Sequence, residues 1–432
     1  MSSVPPPSSS EEKVEGSPLP PSSSLRRTIL KKTVVVGGGG NGGGGKDTDA
    51  TRTSKKELNL LFLGCEEGNE YGPYDHTANL FLELICRAIE NLKPKSKELE
   101  EKETVVVFTV SITVYRVSQN DFPSSNDFNY DSFDGIILPG SYDDAYNESK
   151  EWIHKLKDLI QTHIVPFQRP TLGVCFGHQI LAHSYGTTND SDNGGGSGGR
   201  AMKCPAGKQV GRKSFQLTDA GRAILGCPSS NGDDVSKKIS EQTKKKKRKL
   251  DEIDGDDDKE EKKELEGEEE HVNDDDDPAT PLDANNTDTI ELYYTHGDMV
   301  ESLPNCAISL GGNDFVPIQA AAYFATQQDA IDFTSNSSIS SSSSSSSRRC
   351  RCRRGPFAIT LQAHPEYACD TSRTLGLQRT FGSIINGMER RKELTSSKKD
   401  SIMDDAIQHY DKVQAHSIQV MTSIGHYLGW FP

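Results

Sequence analysis

The chain is predicted to be an α/β fold, a mostly parallel central sheet with helices on both faces and long disordered insertions, and three observations carry that prediction. Short apolar runs alternate with stretches of helical spacing from about residue 57 onward. A cysteine stands between two glycines where one such run gives way to a helix, at Gly173-Val174-Cys175-Phe176-Gly177. A histidine and a glutamate close a late alternating strand, at His364-Pro365-Glu366.

Residues 1–56 precede the folded part. They hold Pro/Ser clusters and a glycine tract, Gly37 to Gly45, broken only by Asn41, so they have no core to form and are expected to be disordered. The Ile29 to Val36 patch is the one apolar stretch there, and it is left unplaced. The domain is set at 57–432.

It opens with Leu58 to Gly64, a near-continuous apolar run suited to a strand buried on both faces. A helix from about Asp75 to Leu92 places Leu80, Leu84 and Ile85 at helical spacing, with Asp75 as N-cap. Thr104 to Tyr115 is the next strand. Tyr130 to Pro139 delivers another into Gly140-Ser141, and a helix between Glu148 and Thr162 packs Trp152, Ile153, Leu156 and Leu159 on one side. Strand, helix and strand in alternation imply right-handed crossovers, with ligands beyond the strand C-termini. Cys175, Gly140 and His364 all fall at such ends.

The stretch from Thr171 to Tyr185 has the layout of a nucleophile elbow. Strand and helix pack too closely at such a turn for side chains two residues before and after the nucleophile, and Gly173 and Gly177 fill those places. The sulfur of Cys175 then sits at a helix N-terminus, which favours thiolate over thiol. Phe176 offers its backbone N–H where an oxyanion donor is wanted.

Downstream, Phe357 to Ala363 alternates as a strand, with Phe357, Ile359, Leu361 and Ala363 on one face. His364 and Glu366, two apart, are expected on the opposite side together. A histidine serving a thiol as general base needs a carboxylate to orient its ring, and Glu366 is placed to supply it. Pro365 ends ladder pairing at that rim.

Between these motifs lie segments with no core potential, set at about 187–200, 228–288 and 333–354. Lys208 to Thr218 reads as a strand or hairpin, Thr289 to His296 as a strand, and Asn305 to Leu310 with Pro317 to Phe324 as a small β region. The second insertion holds Lys244 to Lys249, six basic residues, and then an acidic run. This is either a nuclear import signal or a solvated charge run paired with the acids after it. Cys350 and Cys352 give two of the four ligands zinc usually takes, among arginines, so no metal is expected. Two helices, about Asp370 to Lys392 and Asp400 to His426, close the chain.

Composition narrows the class. Only 33% of the residues are hydrophobic and 26% charged, so the 432 residues are expected to hold one α/β domain rather than two or three. The net charge of −15 is local, since residues 251–277 alone contain seventeen acids against three lysines. The remainder makes no electrostatic case for nucleic acid or membrane binding. Nine cysteines at scattered spacing do not form a secreted disulfide framework, and no signal peptide or spanning run is visible. A cytosolic protein is expected, with the nucleus added if the basic hexamer is read by an importer.

The elbow Gly-Val-Cys-Phe-Gly-His-Gln and the late His-Pro-Glu, taken together, resemble the class I glutamine amidotransferase family. The likeness is to stand-alone members similar to the glutaminase domain of GMP synthase, and to plant γ-glutamyl peptidases. Two further motifs fall in the family's order: Asp134-Gly135-Ile136-Ile137-Leu138-Pro139-Gly140-Ser141, and Tyr294-Thr295-His296-Gly297-Asp298-Met299-Val300. The resemblance implies a catalytic Cys175, His364 and Glu366, with Gly140, Ser141, Phe176 and Gln179 at the oxyanion and substrate side; His296 is expected to be structural. The Gly207 to Gly211 segment matches the family's glutamine-flanking pattern only loosely.

The implied reaction is hydrolysis of the γ-glutamyl amide of glutamine through a thioester, without cofactor. Two alternatives stay open: a γ-glutamyl peptidase acting on glutathione-type conjugates, and a non-catalytic binding protein with the same fold. No phosphate loop is present, and 66 residues after Glu366 are too few for a synthetase domain. The partners are therefore a small-molecule substrate, glutamine or a γ-glutamyl peptide, and, if ammonia is passed on, a separate synthetase subunit.

Overall fold

The computed structural model describes residues 28–36, 52–66, 75–92, 104–123, 129–186, 198–226, 288–337 and 355–432. In chain order the strands are β1 (Thr28–Val36), β2 (Arg52–Leu63), β3 (Thr104–Tyr115), β4 (Gly135–Leu138), β5 (Thr171–Val174), β6 (Arg200–Lys203), β7 (Gln209–Leu217), β8 (Thr289–His296), β9 (Asp298–Ser302), β10 (Ala307–Gly312), β11 (Ala320–Tyr323) and β12 (Ala358–Leu361). The helices are α1 (His76–Glu90), α2 (Glu151–Leu159), α3 (Phe176–Ser184), α4 (Asp219–Leu225), α5 (Gln327–Ser337), α6 (Gly382–Arg390), α7 (Ser396–Gln408) and α8 (Tyr410–Tyr427).

Ten strands form one sheet in the order β1-β3-β2-β4-β5-β12-β11-β10-β7-β8, and β6 and β9 form a small second one. The half that carries the Asp134 to Ser141, Cys175 and His364 motifs is parallel, from β3 through β2, β4 and β5 to β12. From β12 to β8 the pairing turns antiparallel. Register fixes what emerges at the rim: Leu138 lies opposite Gly173, and Leu361 opposite Val174. The residues just beyond β4, β5 and β12 therefore leave the sheet side by side.

Every residue of β4, β5 and β12 is buried, as continuous apolar runs in a covered parallel sheet require. On one face Leu60, Phe62, Leu172 and Ile359 pack with Leu80, Phe81 and Ile85 of α1 and with Val420 and Ile424 of α8. On the other, Leu61, Ile136 and Leu138 pack with Trp152, Ile153 and Leu156 of α2 and Ile180 and Leu181 of α3. Each such side chain contributes about 1.5–3 kcal/mol by leaving water. The elbow is thus clamped from both sides.

Several expectations are corrected. Residues 28–36 fall in the segment assigned to disorder, yet form β1, antiparallel to β3 from Thr28 opposite Val114 to Val36 opposite Val106. Its Val34 is buried, Leu30 and Val36 pack on the core, and Lys32 Nζ reaches Glu83 Oε2 at 2.5 Å. Flanking glycine and serine masked that alternation in the composition. β2 likewise begins at Arg52, ahead of the boundary at 57. Asp75 occupies the cap position of α1 but makes no side-chain cap; its carbonyl accepts from Asn79 Nδ2 at 2.9 Å.

The helix expected over 370–392 begins as a π-helical stretch, Thr374–Phe381, before α6. The one expected over 400–426 is two, divided at His409, whose φ of −104° and ψ of 11° leave the helical region. α8 lies over α1 and the segment after β12, where Gln414 Nε2 donates to Ala368 O at 3.2 Å, so it serves the core.

The three expected insertions lie mostly outside the described residues, as do Lys244 to Lys249 and Cys350 and Cys352. At their margins, Arg200 starts β6 and α5 extends to Ser337. Among the described residues no helix is long and apolar enough to cross a membrane.

Candidate active site

β5 passes to α3 through one residue. Cys175 has φ 53° and ψ −106°, a conformation that costs an L-residue about 1–3 kcal/mol. The glycines around it are sterically required. A Cβ on Gly177 would lie 1.9 Å from Leu138 O, and one on Gly173 2.8 Å from Gly177 O. The turn is stitched to both neighbouring strands, with Cys175 N–H donating to Leu361 O at 2.7 Å and Gly177 N–H to Pro139 O at 3.1 Å.

His364 arrives from β12 and is fixed by its own backbone, whose N–H donates to Tyr293 O at 2.9 Å. The sequence placed His364 and Glu366 on one face of a continuing strand. Instead the chain bends through a 3-10 turn, Pro365–Ala368, and the bend brings the carboxylate back to the ring. His364 Nδ1 and Glu366 Oε1 lie 2.7 Å apart, and the two residues are only 4% and 1% exposed.

That contact occupies Nδ1–H and leaves Nε2 for Cys175. Cys175 is close enough to act on the ring, although Nε2 has no partner within full hydrogen-bond geometry. Contacts of this kind commonly tighten only when substrate binds. Burial opposes a charged ring, but the Glu366 carboxylate and then Cys175 outweigh it, so His364 is pushed up to about 10. Gly140 completes the group: a Cβ there would sit 3.0 Å from His364 Cε1 and 3.7 Å from Cys175 Cβ. Cys175, His364, Glu366 and Gly140 therefore meet at one point of the rim.

The remaining residues named from the sequence are nearby but face inward. Ser141 Oγ donates to Cys65 O at 2.8 Å and accepts from Asp143 N at 3.2 Å, so its hydroxyl holds the turn. The Phe176 ring is fully buried against Trp152, at 5.5 Å between centroids, which leaves its backbone as the part able to meet a ligand. Gln179 Nε2 donates to Asp298 O at 3.1 Å and Gln362 Oε1 at 3.2 Å, so its amide nitrogen is used within the fold.

Two further histidines near the elbow, His178 and His296, are held within the fold. His178 bridges Thr360 Oγ1 at 2.7 Å and Ile318 O at 3.2 Å, and burial drives it down to about 3. His296 is held by Asp298 O at 2.7 Å and driven down to about 4, again by burial first. Both rings are neutral at physiological pH.

Two groups, Tyr367 and Glu66, escaped the sequence reading, and Asp298 stood in a quoted motif without a role of its own. The Tyr367 ring is stacked on His364. Asp298 accepts from Tyr146 OH at 2.9 Å, and burial, followed by a hydrogen bond with Asp144, pushes it up to about 7. Glu66, just past β2, is coupled electrostatically to Glu366 and His364. Position at a strand's C-terminal end was the available signal for Glu66, and the turn that stacks Tyr367 had none. Among the described residues no group of three or more His, Cys, Asp or Glu is arranged to hold a metal ion.

Comparison with known proteins places these features. A family model described as Glutamine amidotransferase class-I matches residues 101–383. A glutamine amidotransferase-like protein of Saccharomyces cerevisiae is 26% identical over 183 residues, 42% of this chain and 62% of its own length. Gamma-glutamyl peptidases 3 and 5 of Arabidopsis thaliana are 32% and 35% identical over 113 and 108 residues, 26% and 25% of this chain and 39% and 37% of theirs. The matches thus span less than two thirds of each relative. A glutamine amidotransferase from Thermotoga maritima of known structure aligns over 86% of this chain and 98% of its own, with 12% identity and a TM-score of 0.43.

Proposed function

Since the chain belongs to the class-I glutamine amidotransferase family, we propose that it hydrolyses γ-glutamyl amide bonds through a thioester on Cys175. The observation that carries this reading is the His364 ring, held at Nδ1 by Glu366 and adjoining Cys175 at the side of Gly140. In the first half-reaction Cys175 Sγ attacks the γ-carbonyl carbon and the sulfur–carbon bond forms as the carbon–nitrogen bond breaks. His364, an imidazolium at neutral pH, gives its proton to the departing nitrogen and is left as the neutral base. Backbone N–H groups of Phe176 and the Gly140-Ser141 turn stabilise the oxyanion; losing one such donor typically costs about a hundredfold or more. Water activated by the neutral His364 ring then attacks the thioester, releasing glutamate, freeing the sulfur of Cys175 and returning the proton to His364.

Glutamine is the first substrate in this reading, with ammonia released to water or to a separate synthetase subunit. A second, γ-glutamyl peptides, is favoured by the similarity to the Arabidopsis peptidases. The folded unit proposed for this activity runs from β1 to α8, with the long segments between described parts as insertions, and its setting is the cytosol. The test is glutamate release from glutamine and from γ-glutamyl peptides by purified protein, with Cys175→Ala abolishing it. Wild-type protein inert towards both classes, and towards a glutamine-mimicking alkylator, would instead make it a binding protein.

A further inference from the structure

The sheet ends differently on its two sides. β8 lies last at one end, and there Tyr293 closes on His364, whose N–H its carbonyl accepts at 2.9 Å. β1 lies last at the other, and among the described residues it is paired on one side only, with β3. Its other side presents the outward N–H and C=O groups of alternate residues along a nine-residue strand, a template for a further strand. β1 also stands outside residues 101–383, the part that matches the family model, so the family likeness does not account for it.

The side chains of β1 divide by alternation. Leu30, Lys32, Val34 and Val36 face α1, where Val34 is buried, Leu30 and Val36 pack on the core and Lys32 Nζ meets Glu83 Oε2 at 2.5 Å. Ile29, Lys31, Thr33 and Val35 face the other way and are exposed, Ile29 by 57% and Val35 by 60%. Those two apolar side chains stand at equal distances along the strand from Lys32. An antiparallel copy of the strand centred on Lys32 therefore sets Ile29 against Val35, Leu30 against Val34, Thr28 against Val36 and Lys31 against Thr33, and leaves no residue of β1 unmatched. Partners are both odd or both even, so outward-pointing backbone groups meet one another, as an antiparallel ladder requires. Lysines on an edge usually discourage such pairing. Here Lys31 meets a threonine, and each Lys32 at the axis keeps its charge answered by Glu83, which Arg87 also holds at 3.4 Å.

We propose that β1 is a dimerisation edge: a second copy of this chain adds its own β1 antiparallel, about a twofold axis at Lys32, and joins the two ten-stranded sheets into one. The occupant is a second copy because the strand is complementary to itself, each apolar residue of one copy meeting an apolar residue or a threonine of the other. Size sets the strength. Nine residues a side fall well short of the roughly twenty to thirty of a standard interface, so backbone bonds and the apolar pairs give a weak, reversible dimer rather than a permanent one. The pairing does not depend on the hydrolase reading.

The experiment is sedimentation velocity on the full-length chain between about 1 μM and about 200 μM, a range that brackets a weak dimer. Wild type is expected to pass from monomer to dimer and no further, because the pairing uses up the edge. Ile29→Lys removes its apolar pair twice by symmetry and should weaken association by about tenfold or more. Adding Val35→Glu sets opposite charges across the same two positions and should recover most of that loss. A wild type that stays monomeric throughout, as it would if residues 1–27 or 37–51 covered the edge, overturns the proposal. So does a dimer indifferent to Ile29→Lys, or a double variant no better than Ile29→Lys alone. If Ile29→Lys does not fold, Thr33→Glu serves: in this register it faces Lys31 of the other copy and should tighten the dimer by about threefold or more, and an unchanged or weaker dimer overturns the proposal equally.

Discussion

The rings of His364 and Tyr367 lie face to face, 4.3 Å between centroids and 3° from parallel. Hydrogen bonds hold His364 at its backbone and at Nδ1, but neither stops the ring from tilting; the stack does. Tyr367 is itself braced by Phe381, 6.0 Å between centroids. Aromatic pairs of this kind contribute about 0.5–1.5 kcal/mol, so Tyr367→Leu is expected to lower kcat by about tenfold or less with little change in KM. Tyr367→Phe, which keeps the ring, should restore most of it. Steady-state kinetics on glutamate release decide, and equal losses in both variants would remove the stack from the account.

The protonation of His364 is a second point of attack. Its ordinary value is 6.5 and its folded one about 10, so the stabilisation it gains from Glu366 and Cys175 is complete below 6.5 and is lost as pH rises through about 10. The His364 Cε1 proton observed by NMR should therefore remain at its imidazolium shift through neutral pH. Glu366→Gln should lower that midpoint by about one unit or more. A midpoint near the ordinary value in wild type would contradict the pairing.

Two glycines separate stability from chemistry. Gly177→Ala drives a Cβ to 1.9 Å from the Leu138 carbonyl oxygen, a backbone atom that cannot yield, and should leave little soluble protein. Gly140→Ala presses instead on His364 Cε1, at 3.0 Å. That variant should fold and melt close to wild type while losing roughly tenfold to a hundredfold in activity, the usual result of small displacements among reacting groups. Circular-dichroism melts alongside glutamate assays check both.

Asp298 predicts a pH-dependent stability. Folded, it keeps its proton up to about 7; unfolded, it ionises near 3.8. The folded state binds the extra proton between those values, so this contribution is present below 3.8 and lost as pH rises through about 7. Asp144→Asn removes the like charge and leaves an amide donor, and should narrow the difference in Tm between pH 5 and pH 8. An unchanged difference would mean that the two carboxyls do not share a proton.

How far the sequence was readable depended on the range of the cause. The elbow was legible because its requirements are local: a four-residue buried strand, two glycines and a helix start all lie within a few residues of Cys175. The strand over Thr104–Tyr115 was equally plain from its own residues. β1 was hidden because it is stabilised by β3, some eighty residues away, and sits among glycines and serines that dominate any window. His364 and Glu366 were paired correctly by a wrong route, since period-two alternation and a 3-10 bend can both return residue i+2 to the same side. The bonds of Gln179 Nε2 to Asp298 O and Gln362 Oε1 were not legible, because nothing in its helix reveals those partners, both of which arrive from elsewhere.

The φ of 53° at Cys175 sets reactivity against robustness. A residue without a Cβ would relax there, so Cys175→Gly should resist heat better than Cys175→Ala by about 1 kcal/mol, although neither carries the sulfur. A chain that endures longer once its sulfur is taken away would carry, in its melting curve alone, the mark of a backbone bent for reaction rather than for rest.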